Sequence, residues 1–220
     1  MADDRPSHAV LAATQQPRAG AAFAAHPPLH PPLHAPQFAA VVSLIDTTAA
    51  LASSSLTALH AQANAAAAHL QATGEVRVRI VDDAEMTRLH AQHCNDPTPT
   101  DVLTFDLRDD AHTHSTAAPA PLDTDIVVCL GVAQAQAAAR GHTPERELLL
   151  YIVHGMLHCL GHDDHADEDF QRMHRTEDEV LAAIGVGPTF ARALEPNDRS
   201  ASPMLGGPAG ALPPGGGANP

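Results

Sequence analysis

The chain has no tryptophan, a single tyrosine and five phenylalanines, so a platform for stacking successive bases is thin. It also has no lysine: all 12 basic residues are arginine. Codon bias towards GC-rich codons accounts for that, together with the excess of alanine, proline and histidine. Cysteine is scarce. Cys94, Cys129 and Cys159 form no CxxC pair and are odd in number, which argues against a disulfide framework and fits a reducing cytoplasm. Cys129 and Cys159 lie inside apolar runs and read as small core residues. No segment approaches the ~20 apolar residues that span a bilayer. The start, MADDRPSH, places acids ahead of any apolar run, and the Ala-rich stretch after it is broken by Pro17. A soluble, cytoplasmic protein without a membrane partner is expected. Positive charge is outnumbered, 12 basic against 26 acidic residues for a net charge of −14. Broad electrostatic coating of nucleic acid is disfavoured and no DNA partner is expected, although a local basic groove is not excluded.

What is present suits one domain: 220 residues, 44% hydrophobic, with ordinary flanks. Residues 1–37 are Ala, Pro and His with little periodicity, ending in HPPLHPPLHAP, and residues 191–220 are Pro- and Gly-rich. Neither has the apolar content to offset ordering entropy, so both are expected to be disordered tails around a folded unit at 38–190. His8, His26, His30 and His34 in the first tail read as low complexity rather than a metal tract.

Within the folded unit, Gln37–Ile45 suits a first strand and Ser55–Ala72 a helix ending before Gly74. Glu75–Val81 alternates, with Val76, Val78 and Ile80 on one face and Arg77 and Arg79 on the other, as a half-buried strand does. Asp82 or Asp83 caps a helix through about His93, and PTPTD (97–101) turns into a strand at Val102–Leu107. A polar insert, Arg108–Pro121, precedes a buried strand at Asp125–Leu130 and a helix at Ala133–Arg140 closed by Gly141. The next helix is well marked: Thr143 as N-cap, Pro144 at its first position and Glu145 in its first turn, running through His158 to a stop near Gly161. A last helix starts near Asp167, its apolar stripe formed by Phe170, Met173, Val180, Leu181 and Ile184. With no regular βαβ repeat and no glycine-rich phosphate loop, the fold class is α+β: a small single domain, a mixed sheet of about four strands packed with helices.

The chemistry concentrates in His154–His165, HGMLHCLGHDDH. His154 and His158 are i, i+4 on one helix, so both imidazoles reach one ion at the ~2.0 Å of a zinc–nitrogen bond. Gly161 permits a turn that returns a third ligand, Asp164 or His165, leaving the open position typical of catalytic zinc. A lone His pair in a chain with 16 histidines carries little weight. An apolar helix carrying both, then a glycine and a dense His/Asp cluster, carries more, because buried histidines need partners. The HExxH pattern of zinc proteases is incomplete: its general base falls at Gly155, which disfavours peptide hydrolysis by that route.

The segment resembles the YbeY family signature, His-Gly-x-Leu-His-x-x-Gly-Tyr-Asp-His, through His154, Gly155, Leu157, His158 and Gly161. PTDVLTF (99–105), DIVVC (125–129) and RIVDDAEMTRLH (79–90) resemble three further family blocks, in the family's order and spacing over roughly residues 38–186. The resemblance implies one Zn2+ per chain on the central helix and a metal-dependent, single-strand-specific endoribonuclease. It further implies a role in rRNA maturation at the 16S 3′ end and in ribosome quality control, with rRNA and the small ribosomal subunit as partners.

Departures are specific. His162 replaces the family tyrosine. The family's third ligand, ten residues after the first, falls on Asp164. A basic residue common before the Pro-Thr-Asp turn aligns with Cys94. Register therefore favours Asp164 as third ligand and ligand chemistry favours His165; register is preferred here. Proton transfer is assigned to whichever of the two is not a ligand, or to His162. Glu147, on the same helix face as His154, is a candidate partner for the ligands or an ordinary helix-start charge. Arg77, Arg79 and Arg88 are candidate phosphate contacts or a solvated face. Two rival classes remain: a metallohydrolase of another substrate, and a non-catalytic ribosome-assembly factor with structural zinc.

Overall fold

The alternation read at Val76, Val78 and Ile80 falls on an interior strand of the sheet in the computed structural model, which describes residues 9–12, 39–108 and 120–190. In chain order the elements are β1 (Ala9–Ala12), β2 (Val41–Asp46), α1 (Ser53–His69), β3 (Ala72–Val81), α2 (Asp83–Cys94) and β4 (Val102–Asp106). They continue with β5 (Ala120–Cys129), α3 (Leu130–Arg140), α4 (Pro144–Cys159) and α5 (Asp167–Ala183). The strands lie in the order β1-β4-β5-β3-β2. Only β4 and β5 pair antiparallel; the other pairings are parallel, so the sheet is mixed and the α+β expectation holds.

One face of the sheet carries Val76, Val78, Ile80, Ile126 and Val128 into the main core, against α1 (Leu59, Ala63, Ala66) and α4 (Leu148, Leu149, Ile152, Met156). On the other face α2 covers part of β4 and β5 through Met86 and Leu89 against Leu103 and Val127. The rest, around Ile45, Arg77, Arg79, His93 and Phe105, is an open groove of about 550 Å3. The free edge of β2 is occupied by α1: Asn64 Oδ1 accepts from the Val42 amide at 3.2 Å and His60 Nε2 lies 2.7 Å from the Val42 carbonyl. That consumes hydrogen-bonding groups through which an edge strand would recruit another chain.

Two readings need correction. The polar insert was expected to run to Pro121, yet β5 begins at Ala120. Leu122, Thr124, Ile126 and Val128 all point inward, so the period-2 signal was present. Its outward acids mask it: Asp123 and Asp125 both accept from Arg77 on β3, at 2.5 Å each. Residues 1–37 were expected to lie outside the fold, yet four apolar residues, Ala9–Ala12, pair with β4 as the short edge strand β1. Otherwise β4 would present an unpaired row of backbone donors and acceptors. The remainder of that tail and residues 191–220 lie outside the described residues. The cysteine reading holds: Cys129 and Cys159 are buried thiols, and burial pushes their pKa values up to about 12 and about 11. No helix among the described residues is long and apolar enough to cross a membrane.

Helix α4 carries the site. Thr143 caps it by accepting from the Arg146 amide, Pro144 opens it, and its residues from Glu147 to Leu157 are all buried. At Gly155 it passes so close to the sheet that a Cβ would lie 2.8 Å from Thr104 Oγ1 and 3.0 Å from Ile126 Cδ1. The position that holds the general base in HExxH enzymes thus faces β4 and β5 in this chain, and no carboxylate fits there.

Candidate metal centre

His154 and His158 project from the last two turns of α4, and the chain then reverses after Gly161, which adopts φ +90°. The reversal returns Asp164 to the pair. Its two carboxylate oxygens lie 3.8 Å from His154 Nε2 and 3.9 Å from His158 Nε2. His154, His158 and Asp164 form one group of potential ligand atoms, all within 4.8 Å of one another.

The partners of each imidazole define its tautomer. His154 Nδ1 lies 2.6 Å from Glu177 Oε1, a carboxylate that only accepts, so Nδ1 carries the proton. His158 Nδ1 lies 3.1 Å from the His162 carbonyl, which also only accepts, so it too donates. When both rings are neutral, each donates through Nδ1 and presents a bare Nε2 lone pair. Those two atoms face each other at 2.9 Å, with the Asp164 carboxylate beside them. Three acceptors converging on one point repel unless a cation lies between them. Tetrahedral zinc with bonds of ~2.0 Å places its donors roughly 3.3 Å apart, close to this spacing. The residues therefore fit a divalent ion. Among the described residues no fourth protein ligand joins the three, which would leave an ion held there with an open coordination position.

Glu177 is the residue that sequence reasoning missed. It is buried on α5, 1% exposed, with His154 on one oxygen and His174 Nδ1 at 2.7 Å on the other. Burial alone would raise its pKa, but the two imidazole hydrogen bonds outweigh it and bring the value to about 2. The signal was an acid on the apolar stripe of α5, four residues after Met173 and three before Val180. Glu147, proposed from sequence as the histidines' partner, is fully buried but turned elsewhere: it pairs with Arg140 and lies 2.9 Å from His142 Nε2. Its pKa is raised, burial outweighing the pull of Arg140 and His142.

Of the other candidates, His165 is 79% exposed and bonds Asp163, which raises its pKa. It approaches Asp164 at 3.7 Å and belongs to a second, more exposed group with Asp163 and Asp164. His162 is half-buried, its pKa lowered by burial and then by Arg172. The three arginines do not join the site. Arg77 and Arg79 line the groove on the face of the sheet away from α4, and Arg77 is held by Glu75, Asp123 and Asp125. Arg88 pairs with Glu85 at 2.8 Å.

Fold and site together define a class: a small α+β domain with a two-histidine, one-carboxylate cluster able to hold a metal on its buried central helix. Residues 43–185 match the family described as Endoribonuclease YbeY. The chain belongs to the YbeY family. Named relatives include Endoribonuclease YbeY of Leifsonia xyli subsp. xyli, 39% identical over 117 residues, covering 53% of this chain and 76% of that protein. The Desulfitobacterium hafniense protein of the same name is 38% identical over 141 residues, 60% of this chain and 87% of that one. A Thermotoga maritima protein solved in solution aligns with TM-score 0.44 and 23% identity, over 73% of this chain and 99% of its own.

Proposed function

We propose that this protein is a zinc-dependent, single-strand-specific endoribonuclease acting in rRNA maturation at the 16S 3′ end and in ribosome quality control. The carrying observation is the pair of Nε2 atoms facing each other at 2.9 Å beside Asp164, in a chain of the YbeY family. His154, His158 and Asp164 are the zinc ligands in this reading, and the relatives' printed activity names the reaction class. A zinc ion held there supplies Lewis acidity to a phosphoryl oxygen or acidifies water. The chain's own groups do the rest. Glu177 holds His154 in its Nδ1–H tautomer, and the His162 carbonyl does the same for His158. With Asp164 as a ligand, proton transfer falls to His165, whose pKa is raised by Asp163, or to His162, whose pKa is lowered by burial.

The pairing of Arg77 and Arg88 with carboxylates and the shortage of aromatic side chains leave little for tight stand-alone RNA binding. That favours RNA presented by a particle such as the small ribosomal subunit, in the cytoplasm. The absence of a fourth described protein ligand weighs against a purely structural zinc. Incubating wild type and His158→Ala with single-stranded RNA, structured rRNA and casein tests the reading. Metal-dependent cutting of single-stranded RNA by wild type alone supports it. Undiminished cutting by His158→Ala, or cutting of casein instead, refutes it.

A further inference from the structure

We propose that His174 is a positioning residue for the metal centre, acting through Glu177 on His154. The inference rests on His154 being a ligand, as proposed above. The Glu177 carboxylate receives one imidazole on each oxygen, His154 Nδ1 at 2.6 Å and His174 Nδ1 at 2.7 Å. A carboxylate bonded through one oxygen can still swing about its last torsion, which is soft for an sp3–sp2 bond. A donor on the second oxygen stops that rotation, fixing the plane to which His154 must donate and hence the direction of its Nε2 lone pair.

His174 is built to be that fixed donor. Its ring stacks on Phe190, with centroids 3.7 Å apart and planes 24° apart, and meets Phe170 edge-on at 4.1 Å. Phe190 is itself held. Its amide and that of Thr189 donate to Asp178 Oδ1 at 3.0 and 2.6 Å, and the Arg140 guanidinium lies 5.7 Å over its ring. Arg146 on α4 ties down the preceding turn by donating to the carbonyls of Val186, Gly187 and Pro188 at 3.1, 2.8 and 2.7 Å. The segment after α5 thus clamps the His174 ring, the ring clamps Glu177, and Glu177 aims His154. Outer groups of this kind tune metal affinity about 10- to 100-fold, and one bond further out the lower end applies.

The substitutions separate the donor from the packing. His174→Phe keeps a flat ring between Phe170 and Phe190 but removes the N–H, whereas His174→Asn places an amide N–H near the Nδ1 position and loses the stack. Zinc affinity of the full-length protein is read by chelator competition, alongside the absorption spectrum of the Co2+-loaded form and the melting temperature of the metal-free form. Expected is a loss of ~10-fold for His174→Phe with an altered Co2+ spectrum and no drop in melting temperature. His174→Asn recovers most of the affinity and the wild-type spectrum in spite of its poorer packing. Equal losses in both variants, or wild-type affinity in His174→Phe, overturn the proposal while leaving the ligand assignment standing. Wild-type zinc affinity in His158→Ala overturns the ligand assignment itself, and this inference with it.

Discussion

Two buried glutamates serve the two sides of α4, and they behave in opposite ways. Glu147, in the first turn, has a guanidinium of its own in Arg140 and a pKa raised by burial. Glu177, which reaches α4 from α5, has only imidazole donors among its hydrogen-bond partners on the described residues, and its pKa falls to about 2. Each Glu177 donor has a second nitrogen, and that of His154 points at His158 and Asp164. A carboxylate paired with a fixed cation ends its network there. A carboxylate paired with imidazole passes its charge on to whatever the far nitrogen binds, and this one ends at a converging set of acceptors.

The largest effect expected from breaking this contrast is on stability. Arg140→Met leaves the Glu147 carboxylate fully buried without its guanidinium, and should cost about 3 kcal/mol in denaturant unfolding, with a smaller change in zinc affinity than His174→Phe because Arg140 reaches that centre only through the Phe190 ring. A fall in zinc affinity without loss of stability would show that the two networks are one. Next is Gly155→Leu, which drives a side chain into Thr104 and Ile126 and should destabilise the fold by roughly 1–3 kcal/mol. A normal melting temperature there would mean that α4 is not pressed on the sheet, and that Gly155 could be replaced by a catalytic acid. Smaller is the difference between two neighbours. Asp164→Ala should weaken zinc binding ~10-fold or more, while His165→Ala, 79% exposed and bonded to Asp163, should change it little. The reverse order would make His165 the ligand.

The two ends of α4 were not equally legible in the sequence. Thr143, Pro144 and Gly161 marked its boundaries because caps and breakers act locally, and the i, i+4 histidines follow from helix geometry alone. The nearness of Asp164 rather than His165 to the pair follows from ten-residue register, which a turn at one glycine can preserve. What the sequence hid is tertiary. Glu147 shares a helix face with His154, yet Arg140 and His142 at the end of α3 and the turn after it claim it first. Glu177 comes from another helix, and only its place on an apolar stripe hinted at burial. Arg77 looked like a candidate phosphate contact because its pairing with Asp123 and Asp125 crosses from β3 to β5, a strand register that the sequence does not show.

Whether the converging acceptors hold a cation is tested most directly by metal analysis of the purified protein. About one zinc per chain is predicted for the wild type, and close to none for the His154→Ala/His158→Ala double variant with its fold largely intact. An unchanged metal content in the double variant would contradict the account.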